Sequence, residues 1–127
     1  TVTGLTNGTY QYRVKATRSG YADSAYEVSS TCTVTLTCGP ISSISVPSSS
    51  TSGSFPVNWG SSSTSGVTYV LDQSADGGAT WTNIYTGPNN YFTVTGLPAG
   101  SYQYRVKATE AGYADSAYMV SGTVTVP

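Results

Sequence analysis

Apolar and polar residues alternate with a period of two along much of this chain. In Tyr102-Gln103-Tyr104-Arg105-Val106-Lys107-Ala108, the residues Tyr102, Tyr104, Val106 and Ala108 fall on one face, and Gln103, Arg105 and Lys107 on the other. That pattern describes a strand with one buried and one wet face. Phe92, Val94 and Leu97 form the buried set of the strand before it, and Val67, Tyr69 and Leu71 that of an earlier one. Ser/Thr/Gly runs at Ser48 to Ser54 and Ser61 to Gly66 read as loops. No stretch of about 10 or more residues carries a helical apolar period. The pattern predicts strands over 41–46, 55–59, 67–74, 80–86, 90–96, 101–109 and 117–126. Seven short strands separated by turn signals predict an all-β, two-sheet sandwich.

Residues 1–35 return as residues 93–127, at an offset of 92, with 26 of 35 positions identical. The differences are Thr6/Pro98, Asn7/Ala99, Thr9/Ser101, Arg18/Glu110, Ser19/Ala111, Glu27/Met119, Ser30/Gly122, Cys32/Val124 and Thr35/Pro127. Such a period is too long for a helical solenoid unit and suits a whole sandwich domain. The expected organisation is the last three strands of one copy over 1–37, a short linker at 38–40, and a complete copy over 41–127. Those three strands alone would leave an apolar face uncovered. The chain opens on Thr1-Val2-Thr3-Gly4, without a Met, a basic segment or an apolar core. An internal piece of a longer, tandem-repeat chain is therefore expected.

Charged residues are only 9% of the chain and the net charge is −1, with 5 Lys plus Arg. That cannot form the basic stripe that nucleic acid attracts. No run approaches the roughly 18 apolar residues of a spanning helix. There is no His, which removes the commonest general base and metal ligand. No cofactor motif is present. Ser and Thr dominate the polar residues and give a neutral, hydroxyl-rich surface.

The segments Phe55-Pro56-Val57-Asn58-Trp59 and Thr95-Gly96-Leu97-Pro98-Ala99-Gly100-Ser101-Tyr102-Gln103-Tyr104-Arg105-Val106-Lys107-Ala108 resemble a fibronectin type III domain of the bacterial secreted kind. The first looks like its second strand with the core Trp, the second like its turn and sixth strand. The resemblance implies an immunoglobulin-like seven-strand sandwich. It also implies that Tyr102, and Tyr10 in the partial copy, form the tyrosine corner, whose hydroxyl ties back to the upstream backbone. The loop Glu110-Ala111-Gly112-Tyr113-Ala114-Asp115-Ser116 holds no Arg-Gly-Asp tripeptide, so attachment by that route is not carried over.

Ser74-Ala75-Asp76-Gly77-Gly78-Ala79-Thr80-Trp81 resembles an Asp-box, with Ser74, Asp76, Gly78, Thr80 and Trp81 as its carrying residues. Asp76 can accept backbone N–H bonds across the turn, and the glycines supply positive φ. The residues explain themselves as a well-made turn; a carbohydrate-associated site is the competing reading. Asp72 is expected to face Arg105 or Lys107 across neighbouring strands. No two carboxylates are expected to converge at the spacing glycoside hydrolysis needs, and no base stands near a serine.

Tyr85, Tyr91, Tyr113 and Tyr118 lie at expected loops or outward positions and form the candidate contact surface. Tyr113 and Tyr118 can equally fold back over the sandwich. Cys32 and Cys38 share the inward face of their segment with Val34 and Leu36. A straight strand holds them about 20 Å apart, whereas a disulfide needs Cα atoms within about 7 Å. Cys32 reads as a small core residue and Cys38 as a junction residue, with a disulfide as the alternative in an oxidising compartment. Asn7-Gly8-Thr9 matches a glycosylation sequon and reads as a turn.

These features describe a non-catalytic structural module of an extracellular or cell-surface protein, a spacer or filament subunit. Its partners would be neighbouring repeats or identical chains. The alternative is an adhesin or accessory module that binds polysaccharide or a protein partner. The short, Pro-containing junction Thr37-Cys38-Gly39-Pro40 would restrict the angle between neighbours.

Overall fold

The computed structural model describes residues 1–127, all strand, turn and irregular chain with no helix. Two compact units divide between Leu36 and Thr37.

The first unit carries β1 (Gly8–Tyr10), β2 (Arg13–Val14), β3 (Glu27–Val28) and β4 (Cys32–Val34). β1 pairs with β4 and β2 with β3, all antiparallel. The expected first strand of this partial copy does not form: residues 1–4 are irregular and exposed. A strand needs a partner for its ladder, and the first unit supplies none for this segment.

The second unit holds β5 (Ile44–Ser45), β6 (Phe55–Trp59), β7 (Thr68–Ser74), β8 (Thr82–Gly87), β9 (Tyr91–Val94), β10 (Gly100–Thr109), β11 (Met119–Val120) and β12 (Val124–Val126). One sheet runs β11-β10-β7-β8, with β12 also on β10; the other runs β5-β6-β9. The eight strands fill the seven expected positions, because the expected strand 117–126 is broken into β11 and β12. The break falls at Ser121-Gly122-Thr123, where the Ser121 side chain takes over a ladder position. Residues 38–40 pack as part of this unit. Cys38 is buried and its N–H donates to Ala114 O at 2.9 Å, while Gly39 N–H donates to Thr64 Oγ1 at 2.9 Å.

The core lies between the sheets. Tyr104, Val106 and Ala108 of β10, Leu71 of β7, Val57 of β6 and Val124 of β12 are fully buried. Phe55 meets Tyr104 edge-on at 5.8 Å, and Trp59 meets Tyr69 at 5.9 Å. Burial of each such side chain contributes about 1.5–3 kcal/mol. Pro56 sits within central β6, where a missing N–H is normally excluded. The ladder explains its tolerance. Trp59 N–H donates to Asn90 O at 2.9 Å, continuing the register that sets Val57 against Phe92. In an antiparallel pair, hydrogen-bonded and non-bonded positions alternate. Phe55, Val57 and Trp59 therefore bond to β9, and Pro56 turns its nitrogen towards the β5 side, beyond the end of β5.

Candidate functional site

The two copies share one geometry at the tyrosine corner. Tyr102 Oη donates to Pro98 O at 2.9 Å, and Tyr10 Oη donates to Thr6 O at 2.9 Å. Each bond spans four residues and anchors the turn that enters the sixth-strand position. A Cβ on Gly100 would come within 3.3 Å of the Tyr102 hydroxyl, so the turn must stay narrow there.

A second repeated device consists of serines standing against the sixth-strand position. Ser116 N–H donates to Ala108 O at 2.9 Å, and Ser116 Oγ accepts from Ala108 N–H at 2.8 Å. Ser121 does the same to Tyr104, at 2.8 and 2.9 Å. In the first unit Ser24 holds Ala16 at 3.0 and 2.8 Å, and Ser29 holds Tyr12 at 2.7 and 2.9 Å. In each case a hydroxyl replaces the carbonyl of a ladder pair. Every such hydroxyl donates onward to the next residue's carbonyl, so both of its roles are used. Alternation of apolar residues carries no trace of these clamps. Their signal in the sequence is the return of Ser24 and Ser29 as Ser116 and Ser121 at the 92-residue offset.

The 74–81 segment is the turn the sequence describes. Ser74 Oγ donates to Asp76 Oδ1 at 2.7 Å and accepts from Gly78 N–H at 2.9 Å. Asp76 Oδ1 accepts from Thr80 N–H at 2.9 Å, and Asp76 Oδ2 accepts from the Thr80 hydroxyl. Gly77 and Gly78 take φ of 72° and 91°, values that side chains disfavour. Trp81 Nε1 donates to Gly78 O at 3.1 Å, which lays the indole over the turn. The Thr80 hydroxyl, then the Thr80 N–H and Ser74, hold the Asp76 carboxyl down to about 2. Both of its oxygens therefore accept bonds from within the turn.

On the outer face of the larger sheet, Arg105 Nε donates to Asp72 Oδ2 at 3.0 Å, its direct cross-strand neighbour. The guanidinium stacks on two rings, 3.9 Å from the Tyr118 centroid and 4.6 Å from that of Trp81. Lys107 lies 5.1 Å over the same Tyr118 ring and pairs with Asp115 at 2.8 Å. That hydrogen bond to Asp115 raises the Lys107 ammonium above its ordinary value. The first unit repeats the set: Arg13 stands 4.0 Å over Tyr26, and Lys15 pairs with Asp23 at 2.6 Å.

The candidate contact tyrosines separate into different roles. Tyr85 is not an outward loop residue. It lies in β8, half-buried, with its ring 6.0 Å from Trp59 and 5.5 Å from Phe92, and its hydroxyl accepts from Asn89 N–H at 2.9 Å. Tyr118 is half-buried beneath Arg105. Tyr91, in β9, is 57% exposed, and Tyr113, in the turn after β10, is 37% exposed. Tyr104, which the sequence reading placed only in the core, donates its hydroxyl to Gln73 Oε1 at 2.9 Å, and burial raises its pKa.

Cys32 and Cys38 are both free thiols and are not joined in a disulfide. Cys32 is exposed and not a core residue. Its counterpart Val124 is fully buried, so the difference lies in the missing opposite sheet and not in the position. Cys38 is buried in the second unit, and burial, followed by the charges of Glu110 and Asp115, raises its thiol pKa. No three His, Cys, Asp or Glu side chains come together. Asp72, Asp76 and Asp115 are each tied into a separate local structure. A hydroxyl-lined crevice of about 370 Å³ opens at one end of the sandwich, between Ser61, Thr64, Ser65, Tyr69, Pro88 and Asn90.

Two open sheets packed over a common core, a tyrosine corner and a core tryptophan on the second strand define an immunoglobulin-like sandwich. Within that class the fold is that of a fibronectin type III domain. Solved structures bear this out. A human domain of that type, the fourth in its protein, is 25% identical with a TM-score of 0.52, over 71% of this chain and 77% of that one. Domains d3–d4 of the rat CD45 extracellular region match at 16% identity and TM-score 0.56, over 95% of this chain and 67% of theirs. A structure of titin kinase and its flanking domains matches at 19% identity and TM-score 0.59, over 73% of this chain. The chain spans 18% of that structure, and the likeness is to its flanking domains. No protein-family model and no curated protein matches the sequence. Domains of this fold are generally non-catalytic parts of larger chains.

Proposed function

We propose that this chain is a structural module of an extracellular tandem-repeat protein, acting as a spacer or as a subunit of a surface fibre. The observation that carries the reading is the repetition of one structural kit at a 92-residue offset. The tyrosine corner, the paired serine clamps and the stacked Arg–Tyr–Lys face recur in both units. These devices all tie the sheet to itself. In the second unit, Asp72, Arg105, Lys107 and Asp115 are each paired with an opposite charge within their own domain. A surface of Ser and Thr with so few free charges permits close side-by-side approach of like units. The test is electron microscopy of a chain carrying several consecutive copies. Rods whose length grows in proportion to copy number are expected; compact particles of irregular outline would end the reading.

A second reading is a binding module for polysaccharide or a protein partner at the cell surface. It is favoured by exposed Tyr91 and Tyr113 and by the hydroxyl-lined crevice, whose volume suits a sugar unit. Retention on insoluble polysaccharide that is lost in Tyr113→Ala or Tyr91→Ala would establish it. Equal retention of the variants, or none by the parent chain, would remove it.

A further inference from the structure

The two sheets of the second unit are open, and their edges are not equally guarded. β8 ends the larger sheet, but its pairing with β7 shifts register between Leu71 and Asp72. Asn83 Nδ2 fills that irregularity, donating to Leu71 O and to Tyr85 O, each at 3.1 Å. A bulge that breaks the ladder is an ordinary protection against strand addition. On the other side of that sheet, the edge is broken into β11 and β12 by the serine clamps. In the smaller sheet, β5 is two residues long and is followed by Pro47.

β9 carries none of these protections. Tyr91-Phe92-Thr93-Val94 is regular, is bonded on one side only, and contains no Pro or Gly. No charged residue occurs between Asp76 and Arg105, so neither β9 nor its flanks repel a like strand. The ladder parity fixes which groups are free. Phe92 and Val94 exchange bonds with Val57 and Phe55, so Tyr91 and Thr93 point their N–H and C=O groups away from β6, along the open edge. Their side chains are exposed. Beside the edge runs a groove of about 260 Å³, floored by Ile84, Phe92, Val94 and Leu97.

We infer that β9 is a self-association edge that pairs antiparallel with β9 of a second copy of this chain, joining two three-stranded sheets into one of six strands. The edge is self-complementary. Setting Thr93 against Thr93 of the second copy brings Tyr91 opposite Thr95, in a twofold contact without charges. Thr–Thr and aromatic–Thr neighbours are favourable cross-strand pairs. The inference is independent of the spacer reading, because a lateral pair neither requires nor forbids a rod.

Sedimentation equilibrium of the full 127-residue chain tests it. The weight-average mass is expected to rise from monomer towards dimer between about 10 μM and 1 mM. Thr93→Pro removes an N–H that the β6 ladder does not use, at an edge-strand position of the kind that tolerates Pro. Thr93→Lys places a charge opposite its own copy. Each variant is expected to weaken association by at least about tenfold while retaining the parent near-UV circular dichroism. Tyr12→Ser combined with Val14→Ser, on the exposed face of the first unit, is expected to leave the dimer intact. A chain that stays monomeric throughout overturns the proposal. So does a dimer that survives both Thr93 changes, or one lost through Tyr12 and Val14 instead.

Discussion

Ser116 holds both backbone groups of Ala108, accepting its N–H on Oγ at 2.8 Å and donating its own N–H to the Ala108 carbonyl at 2.9 Å. Both residues are buried, so no water can take over. Ser116→Ala strands the Ala108 N–H in the interior, and an unsatisfied buried donor costs about 1–3 kcal/mol. Ser121→Ala should do the same through Tyr104. Ser24→Ala, at the equivalent exposed position of the first unit, should leave the main unfolding transition unmoved. Urea denaturation resolves the three. A Ser116→Ala chain as stable as the parent would show that the clamp is decoration.

Tyr102→Phe deletes one hydrogen bond, from the hydroxyl to Pro98 O, and keeps the ring. The expected loss is about 0.5–1.5 kcal/mol. Tyr104→Ala is a harsher change, since the ring is fully buried against Phe55 and its hydroxyl meets Gln73. A loss of about 3–5 kcal/mol is expected there. Tyr12, its counterpart, is 42% exposed, and Tyr12→Ala should move the same transition by less than about 0.5 kcal/mol. Thermal melts of the three variants give the comparison, and equal effects at Tyr12 and Tyr104 would contradict the burial difference.

What was legible in the sequence follows from which physical signals leave a residue pattern. Seven strand positions were visible because period-two alternation is enforced wherever one face is buried. A cation from Arg105 or Lys107 opposite Asp72 was visible from the same registers; the ladder selects Arg105, and Asp72 is more deeply buried than an outward position suggests. The split of the last strand was not visible, because a serine hydroxyl that replaces a carbonyl leaves alternation intact. Tyr85 stands near the end of the expected strand 80–86, two residues before Gly87-Pro88, and reads as an outward position, yet its ring turns inward onto Trp59 and Phe92. Cys32 shows a different limit. Alternation reports which face of a strand is apolar and says nothing about whether an opposite sheet is there to cover it.

The turn at Asp76 gives a pH dependence whose sign is fixed. Its carboxyl is held down to about 2, first by the Thr80 hydroxyl and then by the Thr80 N–H and Ser74. The unfolded chain binds that proton near 3.8. A depressed folded value means the stabilisation is complete above the unfolded value and is lost as pH falls towards the folded one. Stability should therefore decline between pH of about 4 and about 2. Asp76→Asn, which keeps an acceptor but cannot titrate, should flatten that part of the curve. Denaturation midpoints across this range decide the matter; parallel curves for parent and variant would refute the assignment to Asp76.

Arg105 is the one cation in the second unit that meets a buried carboxylate and two aromatic faces at once. The Asp72 side chain is only 8% exposed, and Arg105 is 26% exposed. Arg105→Met keeps much of the apolar stem between Trp81 and Tyr118 but leaves Asp72 with Asn83 Nδ2, at 3.3 Å, as its nearest remaining donor. Removing one partner of a fully buried pair costs about 3–5 kcal/mol, and the partial exposure of Arg105 should bring the loss nearer to about 2 kcal/mol. Asp72→Asn with Arg105→Met removes both charges together, so the double variant should recover part of that loss. Arg105→Lys keeps the charge without the planar stack, and it should fall between the parent and Arg105→Met. A double-mutant cycle read by urea denaturation isolates the coupling. A coupling near zero would mean that the aromatic stack, and not the ion pair, fixes Arg105 on the sheet.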